Sequence, residues 1–396
     1  MGDSGRTKGL AKSTVTSFSF PTRVVFGSGA VSQLPELLAE YGAKRVLLVT
    51  DQGLVHAGLV ERVLKLVSGS SEVTCFDRVE PNPTESCLEE AVTLLRRESC
   101  DLVVGLGGGS VLDTAKAACM RLNHPGPLNQ YEIQVEGYRR VTGEVPANIA
   151  IPTTAGTGSE VGRSAVITLE TDNRKAVLLS PKILPTVALC DPELTLSLPA
   201  GLTASTGMDA LTHNLEAYLS TEFHPICDAI ALGGIRLVGR HLVDAVKGGG
   251  IEARSGMMLA SSMGAIAFQK DLGVAHALAH PLSTLSGVPH GLANAIVLPH
   301  AMAFNKPVSA DRLRDVACAL GCGVDGLNEL DGAELAIQKV EGLLEQTDLP
   351  NRLSAVGVEE DLLPELAAQA IADPNHRTNP RPCTCEDMVR LYRAAL

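Results

Sequence analysis

Two segments carry the residue types best suited to chemistry: STGMDALTHNLEAYLS at 205–220 and LGVAHALAHPLSTLSGVPHGLANAIVLPH at 272–300. Together they hold five of the chain's ten histidines. Asp209 and His213 stand four apart among apolar residues recurring at helical spacing, so both project from one helix face, a turn apart. His276 and His280 repeat that spacing, and His290 follows between a Pro and a Gly. Taken singly, a histidine in such a setting, His241 or His300 for example, is best read as a core residue with a hydrogen-bonded ring. The set is different. Asp209, His213, His290 and a member of the His276/His280 pair would each need burial and a separate partner. One divalent ion of borderline softness satisfies them together.

The elements that must position these residues fall into two groups. SFSFPTRVVF at 17–26 alternates and reads as an edge strand or hairpin, with Pro21 tolerable only there. AKRVLLVTD gives a continuous apolar run, the mark of a strand buried on both faces. EVTCFDRV and CDLVVGLG follow as strands, with helices between, so the first half is a βαβα series with a mostly parallel sheet. GLGGGSVLDTAK sits where a strand ends and a helix begins, a place where glycines admit a phosphate and a helix N-terminus offers unpaired N–H groups. Its spacing is G-x-G-x-x-S, and no acidic residue follows at the interval a dinucleotide fingerprint requires; a tight structural turn is the competing reading. Asp51 instead ends the earlier strand, and the two strand ends would meet at the ligand crevice of an open sheet. ANIAIPTTAGTGSE is another strand running into a loop of hydroxyls and glycines. From Thr203 onward long Ala/Leu-rich periodic segments dominate, broken by GVPHG, NKPVS and DLPNRLS. The predicted organisation is a tail over residues 1–14, an α/β dinucleotide-binding domain over 15–199 and an all-α domain over 200–396.

Charge and composition narrow the function. With 33 basic and 45 acidic residues the net charge is −12, which argues against nucleic-acid or anionic-membrane partners. No apolar run approaches the ~20 residues that span a bilayer. The ten cysteines are spread from Cys75 to Cys385 without a secretory h-region. Neither close pair, Cys318/Cys322 or Cys383/Cys385, has the further ligands of a structural zinc site, so reduced thiols and a cytoplasmic location are expected.

GGGSVLDTAK at 107–116, PTTAGTGSE at 152–160, GMDALTHNLEAY and HALAHPLSTLSGVPHGLANAIVLPH, in this order, resemble the iron-containing (group III) alcohol dehydrogenases. The resemblance runs from RVVFGSGA to TNPRP, nearly the whole chain. It implies a dehydroquinate-synthase-like fold, a Rossmann-like parallel-sheet domain and a helical metal-binding domain with the cleft between. It implies that Asp209, His213, His276 and His290 hold the metal, Fe(II) with Zn(II) also able to bind, and that His280 stands beside the cofactor. The cofactor is expected to be NAD, contacted by Gly107, Gly108, Gly109, Ser110 and Asp113 of the glycine motif and by Thr153, Thr154 and Thr157. Asn82 in EPNP and Lys175 in DNRKAVLLSP match further cofactor contacts, although a solvated hairpin charge is the alternative for Lys175. Asn375 and His376 are expected over the substrate pocket; Arg163 and Arg381 are candidate binders of a substrate carboxylate, with a structural or surface charge the equal alternative for each.

The expected reaction is reversible hydride transfer between a small alcohol or hydroxy acid and NAD. The metal acts as a Lewis acid that lowers the alcohol's pKa, and His280 relays the proton or braces the nicotinamide. A lyase of the dehydroquinate synthase type would share metal and cofactor. Its phosphorylated substrate calls for Lys and Arg, which GMDALTHNLEAY and HALAHPLSTL lack. A non-enzymatic binding module would not need both motifs. Asp51 repels a 2′-phosphate, which favours NAD over NADP; capping the next helix is its alternative role. The exposed edge of the first strand predicts a homodimer or larger assembly.

Overall fold

The computed structural model describes residues 16–171 and 174–396, so the expected tail over 1–14 lies outside the described residues. Strands β1 (Arg23–Phe26), β2 (Arg45–Val49), β3 (Glu72–Phe76), β4 (Leu102–Gly107) and β5 (Ala147–Pro152) precede a hairpin, β6 (Ser164–Leu169) and β7 (Arg174–Leu179). β8 (Val187–Cys190) follows. All but the hairpin form one six-stranded parallel sheet in the order β1-β8-β5-β4-β2-β3.

Helices α1 (Leu34–Glu40), α2 (Gln52–His56), α3 (Leu59–Val67), α4 (Glu85–Arg97) and α5 (Gly109–Asn123) cover both faces. The two-residue period of β2 divides its side chains between them: Leu47 and Val49 join a core with α4 and α5, while Val46 and Leu48 join one with α1 and α3. Both faces being covered is why this strand reads as an unbroken apolar run. β2 lies between β3 and β4, so the chain reverses its direction of travel across the sheet there. Val49 pairs with Gly105, which sets Asp51 and Gly107 level at adjacent strand ends. That is where an open α/β sheet leaves a crevice.

The remaining helices are α6 (Ala200–Leu219), α7 (Pro225–Val246), α8 (Ile251–Ala267), α9 (Val274–Leu285), α10 (His290–Ala319), α11 (Glu329–Gln346), α12 (Leu363–Ala372) and α13 (Cys385–Ala395). α6 is central, packed by α7, α8 and α10, and its polar residues Asp209, Thr212, His213, Asn214 and Glu216 are buried with its apolar ones. A helix burying that many polar groups must satisfy them internally. No helix among the described residues is long and apolar enough to cross a membrane.

One detail differs from the sequence expectation. Within SFSFPTRVVF only Arg23–Phe26 forms a strand. Pro21 cannot donate to a ladder, and Phe18 and Phe20 pack against the helical core instead. NKPVS does break the helical run: α10 is two helical segments that meet at Ser309, whose φ −139° and ψ 29° are not helical, two residues after Pro307. Pro299 and Pro307 each remove one i→i−4 bond, and the helical segments pack on α6 and α11.

Candidate active site

α6 supplies Asp209, α9 supplies His276, and the first residue of α10 is His290. One ligand atom from each lies within 4.8 Å of the others, a group that could hold a metal ion. The Nε2 atoms of His290 and His276 stand 3.5 and 3.9 Å from Asp209 Oδ1. The amide nitrogen of Asn294 donates to Asp209 Oδ1 (2.8 Å) and lies 3.3 Å from His276 Nε2 and 3.2 Å from His290 Nε2. Two N–H groups cannot satisfy three acceptors aimed at one point, whereas a cation can. His213 stands at the margin: its Nδ1 is 3.9 Å from Asp209 Oδ2, its ring stacks on His276 at 4.6 Å, and Nδ1 is buried without a hydrogen-bond partner.

The protonation states suit such a site. Burial first, then the neighbouring imidazole of His213, pushes His276 well below its ordinary pKa. Burial and the Lys175 charge do the same for His290, which opens a quarter of its side chain to the cleft yet is enclosed by its walls. Neutral imidazoles carry the lone pairs a metal needs. His276 Nδ1 donates to Glu216 Oε2 at 2.7 Å, which leaves Nε2 as the acceptor facing Asp209. Glu216 also accepts from the N–H groups of Ala275 (2.6 Å) and His276 (3.3 Å), and burial raises its pKa to about 7 against those bonds.

Spacing alone left His276 and His280 equivalent; their partners separate them. His280 Nδ1 lies 2.6 Å from Asp373 Oδ2, just before the turn Pro374–Thr378, and its ring is 5.3 Å from that of His290. Burial alone would raise the Asp373 carboxyl, but His280 and the Asn375 N–H outweigh it and hold it below the usual carboxylate range. Glu216, Asp373 and Asn294 were all missed by sequence reasoning. Only Glu216 left a signal, three residues after His213 and seven after Asp209, on the same helix face.

A cavity of about 270 Å³ joins this cluster to the sheet domain, lined by Gly109, Ser110, Thr157, Lys175, His280 and His290 among others. No side chain caps α5, whose N-cap is Gly108. A Cβ on Gly109 would lie 2.6 Å from Thr157 Cγ2, so the glycine turn and the threonine loop fit only without a side chain there. Thr153 N–H donates to the Gly107 carbonyl (3.0 Å), and Thr154 packs on Gly108. Gly158 takes φ +61° where a Cβ would meet Ala265 of α8 at 2.4 Å, and Ser262 of α8 donates to the buried Glu160 at 2.7 Å. The loop is thus seated against the helical half.

Asp113 lines the cavity as well; it accepts from Ser159 Oγ (2.6 Å) and Val166 N–H (2.9 Å) and pairs with Lys116 (3.1 Å), so its carboxylate braces the loop. Asp51 caps α2, its Oδ1 accepting from Leu54 N–H at 2.9 Å. Asn82, in the left-handed region at φ 57°, lines the cavity, as does Asn375. Lys175 faces the cavity from the hairpin, and burial lowers its pKa to about 8 despite Asp209 and Asp113. His376 lies 3.0 Å from the Ile371 carbonyl. Arg381 donates to the Phe304 carbonyl (3.0 Å) and sits 4.1 Å above that ring, a packing role.

A parallel-sheet half with a glycine turn and a helical half with a histidine–carboxylate cluster, sharing one cleft, define a metal-dependent dinucleotide oxidoreductase class. The model of the iron-containing alcohol dehydrogenases matches residues 21–192, and that of the family's C-terminal domain matches 203–396. The 1,3-propanediol dehydrogenase of Klebsiella pneumoniae is 40% identical over 375 residues, 93% of this chain and 96% of its own. An NAD-dependent methanol dehydrogenase of Bacillus methanolicus is 37% identical over 385 residues, 96% of this chain and 100% of that one. A crystal structure of a 1,3-propanediol oxidoreductase superposes with a TM-score of 0.92 at 39% identity, covering 96% of this chain and 100% of that one. The chain belongs to the iron-containing alcohol dehydrogenase family.

Proposed function

We propose that this protein is an NAD-dependent alcohol dehydrogenase that interconverts a small alcohol and its aldehyde or ketone at a divalent metal, Fe(II) with Zn(II) as an alternative occupant. The observation that carries the reading is the convergence of Asp209, His276 and His290 at a cavity lined by His276 and His290 and also by Gly109 and Ser110 of the glycine turn. Asp209, His276 and His290, joined by His213, would hold the ion. When bound it supplies Lewis acidity toward the substrate oxygen. Glu216 keeps the His276 proton on Nδ1 and so presents Nε2. His280 donates its Nδ1 proton to Asp373, which leaves Nε2 free to accept the proton of the alcohol. The Gly107–Ser110 turn, with Thr153, Thr154 and Thr157, would hold the dinucleotide, with Asn82 and Lys175 beside it. Asp51 keeps Oδ2 for a ribose hydroxyl while Oδ1 caps α2.

We take residues 15–199 and 200–396 as the two domains and place the enzyme in the cytoplasm; all ten cysteines are free. A homodimer through the outer edge of β1 is supported by the exposed Val24 and Phe26. A monomeric mass at micromolar concentration would count against that assembly. The activity is tested by following NADH with the Fe(II)-loaded protein and a panel of aldehydes. Stoichiometric NADH consumption is expected with at least one. A lyase would leave NADH at its starting level, and that outcome across the panel overturns the reading.

A further inference from the structure

We propose that Arg163 recognises an anionic group on the substrate, so that the preferred substrate is a small hydroxy carboxylate or its semialdehyde. The inference rests on the dehydrogenase reading and names the substrate class for it. Arg163 lines the cavity that contains the histidine cluster. Among the described residues its guanidinium makes no hydrogen bond and no ion pair within 4.0 Å; its charge acts on Asp271, which lines the same cavity, and on Cys227. Arg163 is half-buried, and its guanidinium keeps its donors available to a ligand in the cavity. The other candidate for this role, Arg381, is already bonded to the Phe304 carbonyl.

The backbone that carries Arg163 is built to present it. Its carbonyl accepts from Ser180 N–H (3.0 Å). Lys116, 1% exposed, reaches into the turn and donates to the carbonyls of Ser159 (3.1 Å), Gly162 (3.4 Å) and Ser164, on both sides of Arg163. Asp113 balances the Lys116 charge at 3.1 Å. With that pair closed and Asp209 within the histidine cluster, the cavity keeps Arg163 and Lys175 against Asp271 alone. The balance is positive, which suits an anion. Asp271 takes φ +64° and ψ −178°, a conformation that favours glycine. Asp271 lines the same cavity and makes no ion pair with Arg163, whose donors stay open. The planar fork of arginine then matches a carboxylate through two parallel hydrogen bonds.

The test compares succinic semialdehyde with butanal, which replaces the carboxylate by a methyl group, using the full-length Fe(II)-loaded enzyme and NADH. The wild type is expected to favour the anionic aldehyde in kcat/KM by at least about tenfold, the low end for a charge-assisted hydrogen bond. Arg163→Gln is expected to collapse that ratio, chiefly through the KM of succinic semialdehyde, and Arg163→Lys to retain part of it. A ratio is insensitive to the fraction of folded enzyme. A wild-type ratio near unity, or one that Arg163→Gln leaves in place, overturns the inference; weaker NADH binding with an unchanged ratio would assign Arg163 to the cofactor. Turnover of butanal without an anion preference refutes the inference alone. Absence of turnover across the whole aldehyde panel refutes the dehydrogenase reading beneath it.

Discussion

Replacing Glu216 by Gln should weaken metal binding without touching a ligand. The carboxylate accepts from two backbone N–H groups and from His276 Nδ1, all in a site from which water is excluded. A glutamine has one acceptor oxygen and one amide nitrogen, so one face of the site must meet a donor with a donor. If the nitrogen turns toward His276, the imidazole proton is driven to Nε2, the atom that faces Asp209. If it takes the place of Oε1, the N–H group of Ala275 loses its acceptor, at about 1–3 kcal/mol. Loss of a carboxylate that orients a ligating imidazole typically costs about 10–100-fold in metal affinity, or ~1.4–2.7 kcal/mol. The assay is competition between the protein and a chromophoric chelator for Fe(II) and Zn(II), with circular dichroism to verify folding. A folded Glu216→Gln protein that binds both metals as the wild type does, while His276→Ala does not, would refute the reasoning and leave Glu216 as a purely structural acceptor.

His276→Ala should lose metal and activity together, whereas His280→Ala should keep its metal content and lose turnover; the reverse pattern in metal analysis would invert the assignment of the pair. Chelation should abolish NADH consumption, with Fe(II) and not buffer restoring it, and full activity in the metal-free sample would end the Lewis-acid mechanism. Asp51→Asn keeps the cap on Leu54 but removes the charge, so it should improve kcat/KM for NADP relative to NAD, by up to roughly a hundredfold. Equal use of both cofactors by the wild type would reduce Asp51 to a cap. Lys175 is charged below its pKa of about 8 and neutral above, so NAD affinity measured by fluorescence titration should weaken roughly tenfold as pH rises through that value. Lys175→Met should flatten that dependence, and a parallel slope in both proteins would exclude Lys175 as its origin.

What the sequence reveals of this molecule depends on whether a signal is local. The buried strands β2 and β4 and the amphipathic spacing along α6 and α9 are local, and they point to the parallel sheet, the helical half and the Asp209/His213 and His276/His280 pairs. The choice within the second pair is not local: it is made by Glu216 and Asp373, which come from other elements. Asn294 enters the cluster only because α10 crosses α6. The break at NKPVS is local, since Pro307 and the non-helical Ser309 both lie inside that segment. Likewise, the cap on Asp51 was legible from its position at a strand end, because capping is a contact within three residues.

Every candidate metal ligand stands on α6, α9 or α10, while the glycine turn and the threonine loop belong to the sheet half. The two reactants of a hydride transfer would therefore be gripped by different bodies. Affinity for the ion and affinity for the dinucleotide are then separable traits, each adjustable inside its own half. The gap across which the hydride must pass belongs to neither. It is fixed where the sheet-domain loop lodges in the helices, at Gly158 against Ala265 and at the buried bond from Ser262 to Glu160. Small changes at that seam act as a ruler for the reaction, lengthening or shortening the transfer distance while both grips stay as they were.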